Sequence, residues 1–226
     1  MNVKKMPINE YDQIWDEIYS RKEQCNKYPF DNVVTILFRL LPLIKGKGKP
    51  KVLEIGCGVG NNLLSAAKEG YAVYGIDASK YAIDIAKDYF RENLLEGELN
   101  VGKFSSIPYQ DSYFDLVIER AALSLAPKEI AKKAIQEVNR VLKKDGYFYS
   151  EIYSDKAKFE TKKHKTGIIS KGPYEGVGQI FFYNENNLKN LLKDFKIIEN
   201  SHVERNYLQG RWSSLSECHW CTLCKK

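Results

Sequence analysis

Val52-Leu53-Glu54-Ile55-Gly56-Cys57-Gly58-Val59-Gly60-Asn61-Asn62 decides how this 226-residue chain reads. A short apolar strand stops at three glycines in alternate positions, and a helix follows from about Asn61 to Lys68, closed by Gly70 as a C′ glycine. Glycine lacks the Cβ that would keep a ligand away, so such a loop brings backbone close to a bound group. Asp77 closes the next strand, Tyr71 to Ile76. In open α/β sheets ligands lie beyond the carboxyl ends of the strands, so loop and Asp77 face one crevice, and a carboxylate there can accept from both hydroxyls of a ribose. A helix N-cap is the competing role for Asp77, with Ser79 contending for it.

The loop reads G-x-G-x-G, whereas the dinucleotide fingerprint is G-x-G-x-x-G, so the glycines alone leave the nucleoside open. Glu54 narrows it. A carboxylate at the strand end orients nearby amides or a bound ammonium, and a pyrophosphate gains nothing from it.

Working outward, strands and helices alternate. Ala82, Ile85, Ala86, Tyr89 and Phe90 share a helix face, Leu99 to Val101 and Phe114 to Glu119 read as strands, and Ala131, Ala134, Ile135, Val138, Val141 and Leu142 mark another helix. Lys143-Lys144-Asp145-Gly146 ends that helix, and Tyr147 to Tyr153 is a fifth strand. Such repeats predict an α/β fold, a Rossmann-like parallel sheet with helices on both faces. Residues 155–180, rich in Lys and Gly, show no period and read as a substrate-side loop insertion. A helix from Asn184 to Lys193 precedes strand-like runs Phe195 to Val203 and Ser214 to Leu223, an antiparallel finish. Upstream, Ile8, Tyr11, Trp15, Ile18 and Tyr19 have helical spacing, and a second helix begins near Asp31. The expected division is an N-terminal helical lid over 1–48 and a catalytic domain over 49–226.

Composition fits this reading. The chain is 43% hydrophobic and 12% aromatic, enough for a sizeable core, and its net charge of +6 is compatible with anionic small molecules. No Lys/Arg cluster is dense enough to indicate nucleic acid, so none is expected as a partner. No membrane partner is expected either: the longest apolar run, Ile36 to Ile44, holds Arg39 and Pro42 and is too short to span a bilayer. With no signal-like apolar core at the N-terminus, a cytoplasmic location is the expectation. Five cysteines do not form a disulfide pattern. Cys218-His219-Trp220-Cys221-Thr222-Leu223-Cys224 has zinc-like spacing, but a strand would split these side chains between two faces, so no metal is expected.

Several segments in order resemble the class I S-adenosylmethionine-dependent methyltransferases. Residues 52–60 resemble their first motif, and Val73-Tyr74-Gly75-Ile76-Asp77-Ala78-Ser79 the second. Ile107-Pro108-Tyr109 with Ser112-Tyr113-Phe114-Asp115-Leu116-Val117 is similar to the entry to the fourth strand, and residues 137–147 to the helix and turn before the fifth. The antiparallel finish is the usual ending of that family. The resemblance implies S-adenosylmethionine as cofactor, with S-adenosylhomocysteine as product. It places Gly56, Cys57, Gly58 and Gly60 at the methionine part with help from Asn61 and Asn62, Asp77 on the ribose and Ala78 beside the adenine. Many members carry an Asp where this chain has Lys103, which cannot accept a hydrogen bond, leaving Phe104 and Ser105 to hold the adenine.

The acceptor side is read from fewer signals. The Asn/Asp-Pro-Pro-aromatic turn of base-modifying members is replaced by Glu119-Arg120-Ala121-Ala122, which points away from nucleic-acid bases. Glu119 and Arg120 are expected at the crevice mouth, Glu119 touching the cofactor or acting as a base and Arg120 gripping a phosphate or carboxylate; a surface ion pair or a satisfied strand end is the competing role. His164, within Lys162-Lys163-His164-Lys165, is the other candidate base, against a plain solvated loop. Tyr11, Trp15, Tyr19 and Tyr28 are either a lid that shields a sulfonium or packing against the core. Residues 14–19 with Lys27-Tyr28-Pro29 resemble the entry segment of methyltransferases that tailor bacterial surface polysaccharides. The expected activity is methyl transfer to a hydroxyl or phosphate-type oxygen of a small anionic or sugar-containing acceptor, such as a nucleotide-linked or polysaccharide precursor. A nicotinamide-dependent oxidoreductase and a non-catalytic S-adenosylmethionine-binding module are the alternatives.

Overall fold

The computed structural model describes residues 11–44, 46, 48–161 and 167–226. Helices α1 (Ile14–Ser20) and α2 (Asp31–Ile44) precede the alternating region β1 (Lys51–Ile55), α3 (Asn61–Lys68), β2 (Ala72–Asp77), α4 (Lys80–Glu92), β3 (Glu98–Val101), β4 (Phe114–Arg120), α5 (Lys128–Val141) and β5 (Leu142–Tyr153). A short hairpin, β6 (Glu160–Thr161) and β7 (Ile169–Lys171), leads to α6 (Glu185–Leu191), β8 (Lys196–Asn206) and β9 (Ser216–Lys225). Seven strands form one sheet in the order β3-β2-β1-β4-β5-β9-β8. The first five run parallel, and β9 inserts antiparallel between β5 and β8. The chain reverses its winding between β1 and β4, and there the carboxyl ends of adjacent strands open a crevice.

Strand parity divides the core in two. Leu53, Ile55, Val117, Phe148 and Ile152 face α5 and α6, while Val52, Leu116, Ile118 and Tyr149 face α2, α3 and α4. The same rule holds in β9, where Trp220 and Cys224 enter the first cluster and Cys221 and Leu223 the second. No described helix is long and apolar enough to cross a membrane.

Three segments differ from expectation. Val33, Ile36, Leu37 and Leu40 of α2 are buried against β1, α3 and α4, so α2 covers the sheet and is not part of a lid. Its apolar stripe is satisfied by the sheet face that α3 and α4 leave open. β5 begins at Leu142: residues 143–146, read as a turn, form an irregular strand start, with Asp145 at φ 64° and a register shift against β4. Residues 155–180 are ordered where described, because Phe159, Tyr174, Val177, Ile180 and Phe182 pack around Tyr153. Tertiary contact, which leaves no sequence period, organises them.

Candidate active site

The glycine loop closes over the crevice in strained backbone. Gly56 has φ 65°, and a Cβ there would lie 2.3 Å from that of Ala122. Gly58 has φ 51°, and its Cβ would meet the Tyr19 hydroxyl at 2.8 Å. The Gly58 amide donates to Asp77 Oδ2 at 2.9 Å and the Ser79 amide to Oδ1 at 2.9 Å, fixing the carboxylate beside the loop. Burial raises the Asp77 pKa, and these two amides oppose the rise. Ser79 takes the capping role: its Oγ accepts from the Ala82 amide and donates to Asp16 at 2.6 Å, which ties α1 to the start of α4. Asp77 is thereby left for the cavity, which it lines with Ala78, Lys103, Phe104 and Ser105.

Glu54 is 2% exposed at the end of β1. Its Oε1 accepts from Asn62 Nδ2 at 2.7 Å, while Oε2 is buried with no partner among the described residues. Burial pushes this carboxyl up to about 8. An orphaned acceptor on a cavity wall costs free energy that a bound donor would recover. Asn61 and Asn62 also line the cavity, but their side chains mainly hold residues 28–30: Asn61 Nδ2 donates to the Tyr28 carbonyl at 2.8 Å, and the Phe30 amide donates to Asn62 Oδ1 at 3.0 Å.

Tyr11, Trp15 and Tyr19 roof the same cavity, with the Trp15 and Tyr19 rings 5.6 Å apart. Tyr11 and Trp15 each have a buried polar atom without a partner among the described residues. Tyr28, expected in this roof, is 83% exposed and serves only through its carbonyl. The reason is that α2 starts directly after it and carries the chain onto the sheet.

The rest of the wall is assembled from distant segments. Arg120, at the end of β4, places its guanidinium 3.6 Å from the Phe30 ring centre, with Nε 3.5 Å from Glu151 Oε2. Tyr153 and Tyr174 lie beside it, their ring centres 4.7 Å apart. The Tyr174 hydroxyl donates to Glu217 Oε2 at 3.1 Å and lies 3.4 Å from His219 Nε2. Burial, reinforced by the Arg120 charge, lowers His219 to about 4, so the ring is neutral at pH 7. Leu125, Ile130 and Val177 supply the apolar surface.

Arg120 thus lines the cavity, and Glu119 does not. Glu119 is fully buried; it accepts from Ser150 Oγ at 2.6 Å and from the Leu123 amide at 2.9 Å, and it does not line the cavity. Successive strand residues point to opposite faces, so only one of the pair can face the crevice. Glu119 braces the left-handed turn at Ala121 (φ 62°) and is neither a cofactor contact nor an accessible base. Burial pushes its carboxyl up to about 7. His164 lies outside the described residues. Tyr153, Tyr174 and His219 were not foreseen. Tyr153 ends a strand adjoining the switch point, a legible signal, whereas Tyr174 sits in aperiodic sequence and left none.

Sheet order, glycine loop, the Asp77 carboxylate and antiparallel finish are those of the class I S-adenosylmethionine-dependent methyltransferase fold. Residues 53–150 match the family model described as Methyltransferase domain. The chain carries that domain, and fold and domain together imply S-adenosylmethionine as its cofactor. A solved S-adenosylmethionine-dependent methyltransferase from Methanosarcina mazei is similar at 25% identity and TM-score 0.64, over 83% of this chain and 96% of that one. The uncharacterized methyltransferase YcgJ of Bacillus subtilis is 32% identical over 45% of this chain and 40% of its own length. A tRNA N(3)-methylcytidine methyltransferase of Schizosaccharomyces pombe is 27% identical over 92% of this chain and 74% of its own. The chain spans about two fifths of the length of curated relatives such as YcgJ.

The residues present suit that cofactor. Glu54 Oε2 awaits a donor such as an ammonium, the cradle beside Gly58 would be filled by any side chain, and Asp77 retains lone pairs for a ribose. Gly56, Cys57, Gly58 and Asn61 would line the methionine part, with Ala78, Phe104 and Ser105 beside the base.

Proposed function

We propose that this protein transfers the methyl group of S-adenosylmethionine to an oxygen of a small polar acceptor. The observation that carries this is one cavity in which Asp77 and Glu54 stand on one side, Arg120, Tyr153 and Tyr174 on the other, and Trp15 and Tyr19 above both. The bound cofactor supplies an already activated methyl, so the chain need only align the acceptor, exclude water and remove a proton. Trp15 and Tyr19 exclude water and present π faces to a cation. The Tyr174 hydroxyl, bonded to Glu217 and within reach of neutral His219, offers an acceptor hydroxyl a path for its proton to leave the cavity. For a hydroxyl acceptor, its proton passes to the Tyr174 oxygen as the Tyr174 proton moves to Glu217, and the net products are a methyl ether and a neutral thioether.

We take the acceptor to be a hydroxyl or phosphate-type oxygen of a sugar, a nucleotide-linked compound or a polysaccharide precursor. The entry segment around Trp15 and the presence of Arg120 support that choice. The roof of Tyr11, Trp15 and Tyr19 favours a small acceptor over an RNA such as that of the fission-yeast relative. The test is a thermal-shift and tritiated-methyl assay with sugars, nucleotide sugars, small carboxylic acids and total tRNA. S-adenosylmethionine and S-adenosylhomocysteine raise Tm, NADH does not, and label passes to a small acceptor. No shift with either sulfur compound overturns the reading; label on tRNA alone moves it to RNA.

A further inference from the structure

Arg120 carries more than the methyl transfer asks of it. The guanidinium sits on a cavity wall, stacked on Phe30, and among the described residues it has no hydrogen-bond partner; Nε is buried and unsatisfied. Its single ion pair, to Glu151 at 3.5 Å, is long, and Glu151 Oε1 is already taken by the Tyr149 hydroxyl at 2.8 Å. Stacking and this ion pair fix the plane of the fork while leaving its donors unspent. A planar fork with free donors is the geometry that grips an oxyanion through two parallel hydrogen bonds. Tyr153 and Tyr174 line the same wall, and Leu125, Ile130 and Val177 provide an apolar surface beside it.

The charges behind the fork restrict what it can hold. Glu151 and Glu217, both more than nine-tenths buried, lie on the far side of Arg120 and Tyr174. Glu151 already offsets the guanidinium and Glu217 has Arg205 at 3.8 Å, so every negative charge a ligand brings is added without a further cation, and a monoanion costs less than a dianion. Resting on the methyltransferase reading, we propose that Arg120, with Tyr153 beside it, forms an anchoring subsite for a monoanionic carboxylate on the acceptor, separate from the oxygen that is methylated. The acceptor class is then a hydroxy acid with an apolar or sugar body.

The cofactor has a carboxylate of its own, so the test separates the two sources. Calorimetry of protein saturated with S-adenosylhomocysteine uses benzoate, its neutral isostere benzamide and dianionic phenyl phosphate as probes. Benzoate binds, with benzamide and phenyl phosphate weaker by roughly tenfold or more. Arg120→Gln lowers benzoate affinity by roughly tenfold or more while S-adenosylhomocysteine binding stays within about twofold. Because Arg120→Gln leaves Glu151 buried without its cation, the paired variant Arg120→Gln with Glu151→Gln repeats the measurement and also weakens benzoate. Equal binding of benzamide, or no binding of benzoate, overturns the proposal, and tighter phenyl phosphate overturns the carboxylate class. If Arg120→Gln weakens S-adenosylhomocysteine but not 5′-methylthioadenosine, which lacks the amino-acid part, Arg120 serves the cofactor and the proposal fails. Failure of the wild type to bind S-adenosylhomocysteine at all refutes the methyltransferase reading instead.

Discussion

The two halves of the cavity are built on opposite principles. The cofactor half uses β1, the loop after it and the end of β2, within residues 54–79, with Phe104 and Ser105 added beside the base, and much of its chemistry is backbone: the amides of Gly58 and Ser79 hold Asp77, and positive φ angles shape the cradle. The acceptor half draws Phe30, Arg120, Tyr153, Tyr174 and His219 from five separate stretches and works through side chains. Backbone geometry set by adjacent residues tolerates almost no substitution, whereas a wall of side chains on a fixed scaffold can be altered without disturbing the sheet. The cofactor should therefore be lost by changes in the first half and be indifferent to changes in the second.

The hardest blow to that contrast is Gly56→Val. Its Cβ would collide with Ala122 and its φ is strained for a branched residue, so S-adenosylhomocysteine binding disappears and Tm falls. Retained binding in a titration would show that the loop is not the cradle. Tyr174→Phe is the acceptor-side counterpart. With an acceptor from the tritium screen, turnover drops about a hundredfold while S-adenosylhomocysteine affinity is unchanged. Unchanged turnover removes Tyr174 from the proton path.

Glu54→Gln has a smaller effect with a defined pH signature. A carboxyl held at about 8 in the fold, above its ordinary range, binds its proton more tightly folded than unfolded. The resulting penalty is absent below the ordinary carboxylate range and grows as pH rises to about 8. Without ligand, Glu54→Gln thus gains Tm relative to wild type progressively between pH 5 and 8, yet binds S-adenosylhomocysteine about tenfold more weakly. In the wild type at pH 7, binding of that ammonium-bearing ligand releases a proton, read from the dependence of calorimetric heat on buffer ionisation, and 5′-methylthioadenosine releases none. A variant that loses Tm across that range contradicts the assignment. At the bottom of the scale, Arg39→Ala breaks only the half-exposed pair with Glu199 and costs under about 1 kcal/mol in chemical denaturation.

The same contrast explains what the sequence disclosed. Glycine spacing, Glu54 before it and Asp77 after it are local signals, so the cofactor half, the parallel sheet and the antiparallel finish were legible. Strand parity explains Glu119: adjacent residues at the end of β4 face opposite ways, and a pair read together had to lose one member. The role of α2 was hidden because an apolar helical stripe does not say whether it covers a sheet or a cavity. Tyr174, in a segment without a period, meets His219 of β9 only through folding.

The most direct test of the account is calorimetric titration of S-adenosylhomocysteine into wild type and Asp77→Ala. Asp77 is pinned by two amides with its remaining lone pairs towards the cavity, and two charge-assisted bonds to a ribose are worth about 3–6 kcal/mol. The account predicts one-to-one binding by the wild type and a loss of roughly a hundredfold or more in the variant. Equal affinity in the two proteins, or no binding by the wild type, would contradict it.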